Sequence, residues 1–471
     1  MDEMDKLQGS IGIVGTGTMG GQLALNLTER GCKVVVFDKQ HKQLHELQGA
    51  GIKSVSCLAE LVAILPIPRL VLLMVPAGDA VDVVLDELMV LLDKGDVVVD
   101  GGNSYFLDTK RRGGVADKKS IFYYGAGISG GKEGARNGPA VMLGGPQEGL
   151  PLVMPILSGM AAKKGERRGF VYCGDDGVGH FVKMVHNVVE YAIMQLQAEL
   201  YLIMRDLQAL AGDEIAKSFT ALNRGSLRSS LMNMNVAILN YRDAKDGLLL
   251  DHILDRAKQS GTGRWAANTA LELGVPAPTL LSAVDARSIS MQGDLRKSLQ
   301  NLYSNKDKQA PTKANLDNRD YETALYAGII CAFAEGFSLL KAGKDHYNWA
   351  SNLSNTAICD VWNCGSILEG EILDIIRGVW ERSNGDGSIL ADDEIAKSLS
   401  RGESSWRKVV SAAIAAAIPV PALTASLGYF DGIRKARCGA NLLQAQRDCF
   451  GAHTYQRIDR DGQFHTEWEE K

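Results

Sequence analysis

A doubly wound α/β domain, then a large all-helical domain and a C-terminal tail, is the architecture the sequence predicts, on three observations. Short β-branched runs alternate with helical stretches through the first part of the chain, and a glycine-rich turn closes the first run. Beyond Gly179 strand signals fade, and long helical patterns continue to about residue 435. The runs Ile11–Val14, Lys33–Phe37, Leu70–Val75 and Val97–Asp100 are nearly all apolar and end in turn residues, as parallel strands buried on both faces do. The boundaries fall at 1–178, 179–435 and 436–471.

A chain of 471 residues exceeds what one core supports, so several domains are expected. Its hydrophobic fraction of 45% and charged fraction of 23% are those of a globular protein. A net charge of −5 without a long basic block argues against nucleic acid as a partner. The eight cysteines form no C-x-x-C pair and no signal peptide precedes them, so they read as reduced thiols of a cytoplasmic protein. The apolar run Ala412–Leu423 is short and holds two prolines, so it cannot span a bilayer and no membrane is expected. The helical part carries an internal echo. Trp265 is followed by an alanine-rich stretch and Val275-Pro-Ala-Pro-Thr-Leu, and Trp406 by another and Ile418-Pro-Val-Pro-Ala-Leu, which suggests an old duplication. The segment from Gly451 to Lys471 is polar, aromatic and helix-poor, and reads as a loose tail or an arm that a partner orders.

Ile11-Gly-Ile-Val-Gly-Thr-Gly-Thr-Met-Gly puts Gly15, Gly17 and Gly20 in G-x-G-x-x-G between a strand and a helix. Such glycines permit a tight turn and a close backbone approach, and the helix N-terminus faces a pyrophosphate. In this βαβ setting residues 1–178 read as a Rossmann-type dinucleotide-binding domain. The second strand ends Phe37-Asp38-Lys39-Gln40. An acidic residue there suits the adenosine 2′-OH of NAD and repels the 2′-phosphate of NADP. Lys39 is a counterweight, though only a point charge, so the cofactor choice stays open.

Gly177-Val-Gly-His-Phe-Val-Lys-Met-Val-His-Asn-Val-Val-Glu-Tyr places Lys183, His186, Asn187 and Glu190 at i, i+3, i+4 and i+7, on one helix face. The intervening residues are apolar, so this helix should be buried and its polar stripe should meet something polar. Burial lowers a lysine's pKa and raises a glutamate's, bringing both toward the range for proton transfer at neutral pH. A neutral lysine accepts a proton from an alcohol as hydride leaves and then polarises the ketone; a protonated glutamic acid donates to carbon. Oxidation to a β-keto acid, loss of carbon dioxide and reprotonation of the enol need that pair. Two loops close over the same place: Val99-Asp-Gly-Gly-Asn103-Ser104 after a strand, and the glycine-rich Gly127-Ile-Ser129-Gly130-Gly131, whose amides suit a carboxylate.

With those residues in hand, the chain resembles the decarboxylating 6-phosphogluconate dehydrogenases of the β-hydroxyacid dehydrogenase superfamily. The matching stretches are Asp100-Gly-Gly-Asn-Ser, Gly127-Ile-Ser-Gly-Gly-Lys-Glu-Gly-Ala-Arg-Asn-Gly-Pro, Gly179-His-Phe-Val-Lys-Met-Val-His-Asn and Gln446-Arg-Asp-Cys-Phe-Gly-Ala-His. The resemblance implies oxidative decarboxylation of 6-phospho-D-gluconate to D-ribulose 5-phosphate, a step of the pentose phosphate pathway, with NADP by family default and NAD plausible because of Asp38. It makes Lys183 the general base and Glu190 the general acid. Asn103, Ser129, Gly130, Gly131, His186 and Asn187 would hold the sugar acid, and Tyr191, Thr262, Arg287 and Arg447 its phosphate, with His453 nearby. The cofactor set would be Gly15, Gly17, Thr18, Met19, Gly20, Asp38, Lys39, Val75, Ala77 and Asn103. Arg447 and His453 would come from the partner's C-terminal arm in a homodimer, and no metal is implied.

Three departures from the family pattern stand out. Ser260 replaces the lysine before Gly-Thr-Gly; losing a charged phosphate partner costs about 1.5–3 kcal/mol, or roughly ten- to a hundredfold in affinity. Lys258 and Arg264 are the nearby candidates to compensate. Asp38-Lys39-Gln40 stands for Asn-Arg-Thr. Trp362-Asn-Cys-Gly-Ser-Ile-Leu-Glu369 stands for Trp-Arg-x-Gly-Cys-Ile-Ile-Arg and is read as interhelical packing, of small effect on chemistry. The alternative activity is a related NAD-dependent dehydrogenase of an unphosphorylated 3-hydroxy acid, which would not need Thr262, Arg287, Arg447 or His453. A silent dinucleotide-binding scaffold would have little use for Lys183 and Glu190 on one buried face.

Overall fold

A computed structural model describes residues 7–40, 44–243, 247–303, 314–349 and 354–468. Among them the first part carries ten strands: β1 Ser10–Val14, β2 Lys33–Phe37, β3 Lys53–Ser54, β4 Leu70–Leu73, β5 Val97–Asp100, β6 Phe122–Ser129, β7 Ala140–Gly144, β8 Lys163–Lys164, β9 Arg167–Arg168 and β10 Phe170–Gly174. Eight build one sheet in the order β10-β7-β6-β5-β4-β1-β2-β3, while β8 and β9 form a separate ribbon. Every pairing in the large sheet is parallel except β6 with β7. The chain order reverses between β1 and β4, and the crevice beyond their carboxyl ends is where open α/β sheets take ligands.

The four runs read as strands are strands, though the third stops at Leu73. Met74 N–H donates to Val14 O at 2.7 Å, and the chain then turns away along the crevice. The glycine-rich stretch from Gly127 is mostly not a loop. Gly127 to Ser129 close β6, and Gly131 already opens the helix Gly131–Asn137. Glycine is needed within this strand because a helix lies against it: a Cβ on Gly125 would meet His180 Nδ1 at 2.7 Å, and one on Gly127 would meet the Gly179 carbonyl at 2.9 Å.

Past Gly174 no strand follows among the described residues, and the regular structure is helical apart from isolated bridges. Two long helices, Val178–Leu202 and Asn318–Tyr347, form the axis of this part. Every residue from Val178 to Val189 is buried. The second helix presents Gly328, Gly336 and Gly343 to the first; a Cβ on Gly336 would meet Val189 Cγ2 at 2.6 Å, so only glycine allows this approach. Asn318–Tyr347 is also long and apolar enough to cross a membrane, but 83% of its most apolar window is buried inside the protein.

The internal echo has a structural counterpart. Helices Pro278–Ser290 and Pro421–Ile433 both begin at the second proline of the repeated pair, and they pack together. Glu335, on Asn318–Tyr347, accepts from Thr279 N (3.1 Å), Thr279 Oγ1 (2.6 Å) and Leu280 N (3.0 Å). Glu199, on Val178–Leu202, accepts from Ala422 N and Leu423 N, both at 2.8 Å. Each long helix thus supplies the carboxylate that satisfies the first amides of the other half's helix.

Burial pushes both carboxyls up to about 7 against the pull of those donors. The folded state therefore holds protons that the unfolded chain has released. The stability these groups contribute is fully present below the unfolded value near 4.5 and falls as pH rises toward about 7. Glu335→Ala strands two buried N–H groups and is expected to cost about 2–4 kcal/mol, read as a lowered melting midpoint. A midpoint equal to wild type would show that the amides find other partners.

Candidate active site

At the end of β1 the chain turns through Gly15 at φ +96°, where a Cβ would also meet the Met74 carbonyl at 2.6 Å. Gly20 lies against the Gly15 carbonyl, whereas a Cβ on Gly17 would meet nothing within 4 Å. Gly17 is therefore bare toward open space, and the helix Thr18–Glu29 starts there with no side chain capping its amides. Thr18 is exposed and Met19 half-buried at this mouth, with Val75 and Ala77 beyond the end of β4. A pyrophosphate fits these bare amides, the helix dipole and the absent side chain. Asp38, just past β2, accepts from Thr16 N (2.7 Å), Thr16 Oγ1 (3.1 Å) and Gln40 N (2.7 Å). Its carboxylate is thus pinned beside the glycine turn, while Lys39 points outward and is exposed. Thr16 was not singled out in the sequence, where it is only a variable position of the fingerprint.

Asp100 shapes the loop after β5. It is fully buried and accepts from Ser104 Oγ (2.6 Å), Gly102 N (3.0 Å) and Tyr123 OH (3.2 Å), with Arg112 Nη1 at 3.6 Å. The exposed Asn103 is held at the tip of this turn. On the next strand Ser129 ends β6, and Gly130 follows at φ +126°, where a Cβ would strike the Gly365 carbonyl at 2.5 Å.

Under these loops lies the polar face of Val178–Leu202. Lys183 is 6% exposed, His186 fully buried and Asn187 8% exposed, while the Glu190 side chain keeps 21% of its surface. His186 touches both sides of the crevice: Nε2 lies 3.3 Å from Ser129 Oγ and 3.1 Å from Ser366 Oγ. Its Nδ1 lies 3.3 Å from Asn187 Oδ1, 3.4 Å from Lys183 Nζ and 3.8 Å from Glu190 Oε2. Burial brings the Lys183 ammonium down to about 8, with the Glu190 charge opposing. Burial raises the Glu190 carboxyl, with Lys183 and Arg287 opposing. Burial and then Lys183 hold His186 well below its ordinary value, so it is neutral. A lysine able to give up its proton thus sits beside a carboxyl able to keep one.

One turn on, a cationic end forms. The Arg287 guanidinium lies 3.3 Å over the Tyr191 ring and donates to the Lys258 carbonyl at 3.3 Å. Gly263 packs on that ring, bringing the buried Thr262 and the N-terminus of Thr262–Glu272 alongside. Ser260 Oγ lies 3.4 Å from Thr262 Oγ1, so the residue replacing the family lysine is at this end; the Lys258 and Arg264 side chains are exposed.

Arg447 and His453 do not join this cluster within the chain. They are exposed on an arm that opens with the helix Ala440–Gly451. Among the described residues the arm's hydrogen bonds close within it, around Asp448, which accepts from Trp468 Nε1 (2.8 Å), Thr454 N and Thr466 N (both 3.0 Å), with His465 Nδ1 at 2.9 Å. The described residues of the arm, as far as Trp468, are therefore folded on themselves rather than loose.

The Trp362–Glu369 segment needs a correction. Trp362 and Cys364 are buried packing residues as expected, but Ser366 contacts His186 and the Gly365 carbonyl backs Gly130. Glu369, in place of an arginine, accepts from Gly365 N (3.1 Å) and Lys164 Nζ (2.8 Å) and braces the turn. A serine some 180 positions from His186 carries no local signal in the sequence. Among the described residues no group of three or more His, Cys, Asp or Glu side chains is arranged to hold a metal ion.

Comparison with known proteins covers the chain almost end to end. The NAD binding domain of 6-phosphogluconate dehydrogenase matches residues 10–174, and the 6-phosphogluconate dehydrogenase C-terminal domain matches residues 179–468. The chain is 39% identical to the NADP(+)-dependent decarboxylating 6-phosphogluconate dehydrogenase of Bacillus subtilis, covering 97% of this chain and 98% of the relative. It is also 39% identical to the NAD(+)-dependent enzyme of the same species, over 98% of this chain and 99% of the relative. The Plasmodium falciparum 6-phosphogluconate dehydrogenase, whose structures include complexes with NADP+ and 6-phosphogluconate, superposes with a TM-score of 0.92 at 34% identity, covering 98% of this chain and 100% of that one. A cofactor cradle, a buried lysine–glutamate face and full-length matches of this kind make the chain a member of the 6-phosphogluconate dehydrogenase family.

Proposed function

We propose that this chain oxidatively decarboxylates 6-phosphogluconate to ribulose 5-phosphate and carbon dioxide, with Lys183 as general base and Glu190 as general acid. The observation that carries the reading is the pair itself: a buried lysine brought down to about 8 and a carboxyl raised by burial, two turns apart on one helix face. Neutral Lys183 takes the hydroxyl proton from the substrate. A nicotinamide cofactor held at the Gly15–Gly20 turn would supply the acceptor for the hydride of the carbon that bears this hydroxyl. Lys183, now an ammonium, donates to the new carbonyl oxygen, so the electron pair of the breaking carbon–carboxylate bond moves into an enol as carbon dioxide leaves. Glu190 protonates the enol carbon, and Lys183 recovers the enol proton as the ketone forms. Ser129, Gly130, Gly131, His186, Asn187 and Asn103 hold the sugar acid, and Tyr191, Thr262 and Arg287 its phosphate.

A homodimer in which each arm brings Arg447 and His453 to the other subunit's phosphate end completes the site. The arm supports this: it is folded, yet Leu442, Leu443, Phe450 and Ile458 on it are between 62% and 93% exposed, which a partner surface would cover. A cytoplasmic location accords with eight cysteines that are all unpaired. Of the two cofactors NAD is favoured, because the pinned Asp38 carboxylate stands where a 2′-phosphate would bring further negative charge.

Lys183→Met should lower kcat by about a thousandfold with dinucleotide affinity unchanged, measured as reduced cofactor and carbon dioxide together. A normal rate would exclude Lys183 as the base. Because the Glu190 charge raises Lys183, Glu190→Gln should slow turnover about a hundredfold and move the acid limb of the kcat/KM profile to lower pH. In direct binding titrations NAD should bind at least about tenfold more tightly than NADP, and Asp38→Asn should narrow that ratio; equal wild-type affinities would refute the role of Asp38. Lys183→Met and Arg447→Ala chains, each nearly inactive at low substrate, should regain about a quarter of the wild-type activity when refolded together, because about half of the dimers are mixed and each of these holds one intact site. No recovery would place Arg447 outside the partner's site.

A further inference from the structure

Ser366 is 4% exposed and all three of its hydroxyl's hydrogen-bonding capacities are engaged. Its oxygen lies 2.6 Å from the Trp362 carbonyl, which can only accept, so the hydroxyl proton is committed there. Leu368 N–H donates to the same oxygen at 3.0 Å. One lone pair remains, and it faces His186 Nε2 at 3.1 Å. A hydroxyl whose proton is spent can meet a ring nitrogen only as an acceptor, so Nε2 must carry the hydrogen. Ser129 Oγ, at 3.3 Å, shares that hydrogen and keeps its own proton for the crevice. Neutral imidazole has one N–H, so Nδ1 presents a lone pair to Lys183 Nζ at 3.4 Å. Asn187 then turns its amide so that Nδ2 rather than Oδ1 faces Nδ1, an assignment that the hydrogen-bond network decides.

We propose that Ser366 is a positioning residue that fixes His186 in the Nε2–H tautomer, so that Nδ1 accepts a hydrogen bond from Lys183 and aims its amine into the crevice. The inference rests on the reading of Lys183 as the base. The groups facing the imidazole are Lys183, Asn187 and Glu190 on its own helix, Ser129 from β6, and Ser366 with the Trp362 ring edge-on at 5.5 Å. Only Lys183 and Glu190 among these neighbours titrate. The ammonium formed after proton abstraction gains the same acceptor, so Ser366 acts on the amine in both of its protonation states through the ring between them.

The test combines the tautomer with the pH profile. In [15N]histidine-labelled full-length protein, with His186 assigned by difference from His186→Gln, the Nε2–H form should dominate. Ser366→Ala should raise the Nδ1–H fraction, lower kcat about tenfold and leave NAD affinity unchanged. It should also move the acid limb down by about half a pH unit, because an ammonium without its Nδ1 acceptor is less favoured. Ser366→Cys, which keeps a weaker donor and acceptor, should fall between alanine and wild type in all these readouts. A packing role alone would change stability or kcat without moving the limb. A wild-type Nδ1–H tautomer, or an alanine variant with an unshifted limb, overturns the proposal while leaving the base assignment intact. An active Lys183→Met enzyme would instead overturn the reading on which it rests. If Ser366→Ala does not fold, the wild-type tautomer and the cysteine variant decide the matter.

Discussion

The cost of taking one ammonium group out of water governs much of this structure. Lys183 is buried on a helix with apolar residues on both sides, and desolvation lowers its pKa to about 8. Holding it there requires a helix buried on all faces, which requires a strand that can be approached to backbone distance. That in turn requires glycines at 125 and 127. The same burial raises Glu190 and keeps His186 neutral, so three groups acquire distinct protonation behaviour from one cause. The Glu190 charge opposes the shift of Lys183, and the Lys183 charge opposes that of Glu190.

That placement needs a scaffold around it, and the two halves of the helical part supply one by exchanging carboxylates. Glu199 and Glu335 are buried acids outside the crevice, each satisfying the opening amides of a helix from the other half. They remain tolerable because the donors they meet are helix-start amides, the Thr279 hydroxyl and the Gln195 side-chain amide, which offset part of the cost of burying a carboxylate. The helix that carries Glu199 also carries Lys183, so the tie that joins the halves is on the same rigid element as the polar face of the crevice.

Much of the fold was legible because hydrophobic period and glycine placement are local signals. Strands β1, β2, β4 and β5 showed as apolar runs, and G-x-G-x-x-G between strand and helix marked the crevice. β6 was less legible: its glycines resemble a loop in sequence, and only the helix packed against it explains them. The i, i+3, i+4, i+7 spacing located the polar face of Lys183, His186, Asn187 and Glu190, since helix geometry alone brings those side chains together. Ser366 and Thr16 were illegible for the opposite reason. Each acts through one contact across a large separation, and a lone serine or threonine carries no period.

By itself, then, the sequence determined the class of fold, the cofactor turn, the face that carries Lys183 and Glu190, and the family, because all of these are written in short-range patterns. Tertiary structure decided the protonation of those groups, since a pKa depends on solvent excluded by residues distant in the chain. It decided that Asp38 is pinned by Thr16 and Gln40, and that the segment after Trp362 supports the imidazole rather than merely packing. It also showed the described part of the terminal arm to be folded around Asp448, because one buried carboxylate gathers donors from Thr454, Thr466 and Trp468, which no local pattern connects.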